Sequence, residues 1–153
     1  MLRTGKLTNV KHTGTLMVRL ADKYRSDVAP FGHLTPQQFF DKIKNIPYNR
    51  DPQATEFLQR PYFTLAGNRP GGDCDDKAIC IGAYAILHGY PFRFVAMAKN
   101  PNTSLHHVAT DVMMGGQYVH LDPTYNQNIM GQYLFQPSRS LIIGVWHGKI
   151  GST

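Results

Sequence analysis

Residues 72–89 read Gly72-Asp73-Cys74-Asp75-Asp76-Lys77-Ala78-Ile79-Cys80-Ile81-Gly82-Ala83-Tyr84-Ala85-Ile86-Leu87-His88-Gly89. Asp73 is a helix N-cap type, and Asp76 three residues on completes a capping-box arrangement with Asp in place of Glu. Gly89 suits the left-handed position that ends helices. The spacing therefore predicts a helix over Asp73–His88. Its body, Ala78 to Leu87, is apolar nearly all round, which marks a central helix buried on most sides. The remaining elements must be arranged around it.

Downstream, Phe92–Ala98, His106–Met114 and Gln117–Leu121 have strand composition. The last two flank Gly115-Gly116, a strong two-residue hairpin signal. Leu141–Trp146 is a further candidate strand. Upstream, Leu16, Leu20 and Tyr24 suggest a short helix over Thr15–Tyr24, and Ala29–His33 reads as a connector. Thr35-Pro36 looks like an N-cap with proline in the first helical position. Phe39, Phe40, Ile43 and Ile46 follow at helical spacing, and Pro47 stops the run. Residues 47–72 are rich in proline and glycine and predict a long irregular segment of the kind that shapes binding sites. Helices followed by an antiparallel sheet give an α+β class, with the central helix packed on the sheet.

The chain has 153 residues, 42% hydrophobic and 17% charged, which suits one globular domain over 1–153. No apolar run approaches the ~20 residues needed for a membrane span. Met1 to Val10 carries basic residues with no apolar stretch after them, so no secretory signal peptide is expected. The formal net charge is +6. The basic residues Lys6, Lys11, Arg19, Lys23 and Arg25 are scattered, without the block that marks a nucleic-acid-binding segment, so a solvated surface is the reading and nucleic acid is not an expected partner. The two cysteines, Cys74 and Cys80, sit too far apart along one helix for a disulfide, and no CxxC motif is present.

Cys74 falls in the first turn of the helix, where unpaired N–H groups and the dipole favour a thiolate and can face an oxyanion. Asp73, Asp75 and Asp76 oppose that, and a histidinium partner would restore the balance. Cys80, in mid-helix, reads as core. With Gly115-Gly116 as the turn, Met114 pairs with Gln117, Asp111 lies opposite His120, and Ala109 lies opposite Asp122. His107 and Asp122 then share a face as diagonal neighbours, with Cα atoms about 7–8 Å apart. Asp122 can orient one ring nitrogen of His107 and leave the other for the thiol. His120 and Asp111 form a rival pair on the same face, so periodicity alone leaves both histidines open. Zinc held by His106, His107 and His120 is disfavoured because adjacent strand residues point to opposite faces.

Gly72-Asp73-Cys74-Asp75-Asp76 with its helix, Gly89-Tyr90-Pro91-Phe92-Arg93-Phe94-Val95, Leu105-His106-His107-Val108 and Leu121-Asp122-Pro123-Thr124 together resemble the core of the transglutaminase-like superfamily, which has a papain-like cysteine protease fold. Ile46-Pro47-Tyr48, Arg50-Asp51-Pro52 and Glu56-Phe57-Leu58-Gln59-Arg60-Pro61 are similar to a segment of phage- and prophage-encoded members. The resemblance covers roughly residues 15–125, and the domain is read as a core at about 35–125 with an N-terminal helical extension and a C-terminal tail of unknown role.

It implies Cys74 as nucleophile, His107 as general base and acid, Asp122 as orienting carboxylate and Gln59 as a candidate oxyanion donor. His106 stands where Ser or Asn is more usual and is expected to alter substrate access. Related adhesin-processing proteases bind calcium near an acidic run, which makes Asp73, Asp75 and Asp76 calcium candidates; no other cofactor is implied. The implied activity is a protease or amidase acting on a protein or peptide, with virion proteins or peptidoglycan peptides as partners. The chain would be made in host cytoplasm and associate with virions. Amine acyl transfer, as in a transglutaminase, and a catalytically silent structural virion protein are the alternatives.

Overall fold

A computed structural model describes residues 2–3, 9–49, 57–66 and 70–148. Arg50-Asp51-Pro52 and Glu56 of the phage-like segment, together with Met1 and Lys6, lie outside the described residues. The elements are β1 (Leu2–Arg3), α1 (Val10–Lys23), a 3-10 helix (Arg25–Phe31), α2 (Pro36–Lys44), β2 (Phe57–Leu58), α3 (Pro61–Leu65), α4 (Cys74–His88), β3 (Phe92–Ala98), β4 (His107–Met114), β5 (Gln117–Leu121) and β6 (Arg139–Trp146). They form a small α+β domain whose main sheet has the order β5-β4-β3-β6, antiparallel throughout.

The sequence signals around α4 are realised. Asp73 caps it, the reciprocal capping box with Asp76 is complete, and Gly89 ends it at φ 74°. Every residue from Asp75 to Ile86 is buried. α4 packs against β4, α1, α3 and the 3-10 helix. The hairpin at Gly115-Gly116, with φ of 63° and 83°, pairs Met114 with Gln117 and Asp111 with His120 as expected. One face of the sheet, with Phe92, Phe94, Ala96, Val108 and Val112, joins the core around α4. The other carries Val95, Met97 and Ala109, covered by Phe135.

Several expectations need correction. α1 begins at Val10, not Thr15, because Asn9 caps it by accepting from the His12 amide at 3.1 Å. The stretch read as a connector at Ala29–His33 belongs largely to the 3-10 helix. α2 stops at Lys44, so Ile46 is outside it. Within the irregular segment, Pro61 starts the short helix α3. β4 starts at His107, one residue later than expected, and β6 begins at Arg139. The residues after 125 are more than a tail: β6 completes the sheet beside β3, and α1 lies across β6.

That last contact explains Gly14 in the middle of α1. A Cβ there would stand 2.0 Å from the Ile143 carbonyl oxygen, so only glycine permits the close approach. On an exposed helix, Gly→Ala gains about 1 kcal/mol from propensity. Here the overlap with backbone reverses the sign, and Gly14→Ala should destabilise the protein by about 1–3 kcal/mol in urea unfolding. A variant more stable than wild type would contradict the packing of α1 on β6.

Candidate active site

α4 delivers Cys74 to the end of the sheet where β4 begins. The acids around it are mostly committed to the helix start. Asp73 Oδ1 accepts from the Asp76 amide at 3.1 Å, and Asp76 Oδ2 accepts from the Asp73 amide at 3.2 Å. Asp76 also accepts from Gln59, through the backbone N–H at 2.9 Å and the side-chain amide at 3.3 Å. Capping therefore accounts for two of the three calcium candidates, and among the described residues no three His, Cys, Asp or Glu side chains are grouped to hold a metal ion.

The Gln59 amide donates to the Gly71 carbonyl at 3.0 Å and to Thr64 Oγ1 at 3.3 Å as well. It is built into the brace of the helix start rather than held free for an oxyanion.

His107 and Asp122 come together as the hairpin parity expected. Nε2 lies 2.6 Å from Asp122 Oδ2, and both side chains are buried. Asp122 Oδ1 accepts from the Thr124 hydroxyl at 2.5 Å and the Thr124 amide at 3.2 Å. Asn128 Nδ2 donates to the Asp122 carbonyl at 2.9 Å. Burial raises the Asp122 carboxyl, but the hydrogen bond and charge of His107, helped by Thr124, outweigh it and hold it below the usual value. Because the carboxylate occupies Nε2, Nδ1 is the ring nitrogen left to accept a proton. Phe135 packs against His107 with ring centroids 5.7 Å apart.

The thiol makes a different bond from the one expected. The Cys74 sulfur donates to Asp75 Oδ1 at 3.7 Å, and among the described residues it has no hydrogen bond to His107. Burial pushes the thiol well up, Asp75 and Asp73 push it further, the Val108 N–H opposes, and Asp122 adds a smaller upward push. Burial and the acids outweigh the helix dipole, and the resting sulfur is a thiol. Val108 is nonetheless the residue after His107, so the sulfur sits at the start of the histidine strand. A cavity of about 110 Å³ opens beside Cys74, lined by Val10, Thr13, Tyr48, Leu105, His106 and Ile143 among others. His106 is where a neighbour controlling access would be. Burial raises Cys80 as well, consistent with its core position.

The rival pair also exists. His120 Nδ1 lies 2.8 Å from Asp111 Oδ1, and Arg93 Nε donates to Asp111 Oδ2 at 3.1 Å. Tyr133 stacks on His120 at 3.8 Å, and His120 Nε2 is buried without a hydrogen-bond partner among the described residues. Among the described residues, no hydrogen bond links this pair to Cys74. Reading the sequence missed Thr124, Asn128 and Phe135. Thr124 had a signal, as the hydroxyl two residues after the aspartate; the other two depend on a loop path that no periodicity marks. Comparison of the chain with protein-family models, curated proteins and solved structures returned no match.

A carboxyl held low in the fold contributes stability that is present above its unfolded value, ~3.9, and lost as pH falls through the folded value. Asp122→Asn should therefore lower Tm at pH 7. The gap from wild type should narrow as pH drops below about 4. A constant gap across that range would mean that Asp122 is not ionised against His107.

Proposed function

We propose that the protein is a cysteine-dependent hydrolase of transglutaminase-like fold, a protease or amidase using Cys74, His107 and Asp122. The observation that carries the reading is the buried 2.6 Å His107–Asp122 pair, one residue from Val108, which lines the same cavity as Cys74. A short imidazole–carboxylate bond fixes the ring and stabilises the imidazolium that forms when it takes a proton.

In the proposed reaction, Cys74 turns from Asp75 toward His107, and the S–H proton passes to Nδ1 as the sulfur bonds to the substrate carbonyl carbon. The C–N bond breaks as His107 returns that proton to the leaving amine, giving a thioester. Water then attacks with His107 again taking the proton, and the acid leaves with the thiol restored. The Cys74 backbone N–H at the start of α4 is the oxyanion donor this scheme offers, with Gln59 holding that turn. An amine in place of water would give transglutaminase chemistry. The likeness of the segment around Gln59 to phage-encoded proteins extends the proposal to a peptide substrate in virion assembly or the host wall.

A second reading, a structural virion protein without turnover, is favoured by one observation: the resting thiol bonds Asp75 and not the imidazole. Labelling with a thiol-directed inhibitor separates the two. Wild type should label at Cys74 near neutral pH, with the same result in Cys80→Ala and His120→Ala. In His107→Ala, labelling should appear only well above the ~8.5 of a free thiol, since burial and the acids hold the proton on sulfur and no imidazole is there to take it. Cys74→Ala should lose all hydrolysis and keep its fold. Wild-type labelling that itself begins only above that pH would favour the silent protein.

A further inference from the structure

One basic side chain of α4 is enclosed at the start of its apolar body. Lys77 is 1% exposed. It lies three residues after Cys74, on the adjacent turn of the helix. Burying an ammonium is costly, and an apolar side chain of similar length would fill the same space without that cost. Its two hydrogen bonds are long-range. Nζ donates to the Ile46 carbonyl at 2.6 Å and to the Thr124 carbonyl at 2.9 Å. Neither carbonyl belongs to a regular element. Both belong to the loops on either side of the site, one leading to Tyr48 at the cavity, the other carrying Asp122.

We infer that Lys77 is a positioning residue that holds the Asp122 carboxylate behind His107 by fastening the Thr124 carbonyl to the helix that bears Cys74. The inference rests on the hydrolase reading above. The route is short and continuous. Lys77 Nζ holds Thr124 O, and the amide and hydroxyl of the same Thr124 hold Asp122 Oδ1 at 3.2 and 2.5 Å. The other oxygen, Oδ2, is left for His107 at 2.6 Å. Asp122 stands one residue past the end of β5, so the sheet ladder no longer fixes it. Asn128 secures its carbonyl, not its carboxylate. Nucleophile and orienting acid come from elements far apart in sequence, and Lys77 ties the helix of the one to the loop of the other. Burial lowers the ammonium to about 8, with Cys80 and Asp122 opposing, so it remains mostly charged at neutral pH.

The test uses the full chain and two readouts: the rate of Cys74 alkylation by iodoacetamide, and the far-downfield 1H NMR signal of the His107 Nε2 proton held on Asp122. Lys77→Met should slow alkylation by at least about tenfold, within the ~100-fold that a misplacement of about 1 Å produces. It should also shift or remove the downfield proton. Thr124→Val should do the same, and Thr124→Ser should restore both. Cys80→Ala, equally buried in α4, should lower stability yet leave both readouts at wild-type values, which separates positioning from general support. Should Lys77→Met fail to fold, Lys77→Gln, too short to reach both carbonyls, takes its place with the same expectation. Wild-type rate and proton signal in the folded Lys77 variant would overturn the inference alone. Equal alkylation of wild type and His107→Ala would instead overturn the hydrolase reading on which it rests.

Discussion

The Asp76 carboxylate is the fixed point of this structure. Buried at the third position of α4, it accepts from the Asp73 amide and from both the backbone and side chain of Gln59. A buried carboxylate has to be supplied with donors, and these come from two separate stretches of chain. The bonds end the irregular approach at Gly72, set where the helix starts, and thereby set where Cys74 stands. A Cβ on Gly72 would meet the Asp76 side chain at 2.7 Å, so the tight turn before the helix depends on the same group. Acids that first read as repelling a thiolate, or as calling for a cation, are largely the scaffold of the nucleophile's turn.

From that point the molecule is organised as two supports that meet at one end of the sheet. α4 brings the sulfur to the start of β4 from one face. The hairpin brings His107 and Asp122 from the other, where Phe135 and the 126–138 segment cover them. The environment holds the sulfur protonated at rest and the aspartate ionised. In the proposed chemistry, the proton has one place to go, the free nitrogen of an imidazole already aligned by its carboxylate. In that chemistry the thiol leaves Asp75 by a change of the Cys74 side-chain rotamer.

The sequence disclosed those parts whose signals are local. Asp73, Asp76 and Gly89 bound α4 by backbone chemistry, and Gly115-Gly116 fixed a register that put His107 and Asp122 on one face. β3 and β5 have the limits their composition indicated. What was not legible depends on contacts between distant segments. The first turn of α1 carries Lys11 and His12 facing outward, so no apolar period marks it, and Gly14 within the helix is explained only by Ile143 lying against it. The roles of Lys77 and Asn128 exist only once the loop after β5 folds back over α4. The direction of the Cys74 shift was open in the sequence, where the dipole and the acids pull opposite ways, and burial decides it.

The central claim is that Cys74 forms an acyl-enzyme with the help of His107. Pre-steady-state reaction with an activated ester such as p-nitrophenyl acetate, followed by intact-protein and peptide mass spectrometry, tests it most directly. The account predicts a stoichiometric burst of nitrophenol and an acetyl group on Cys74 that water removes on standing. A linear time course without a burst, or an acetyl group found only on lysines or on Cys80, would contradict it.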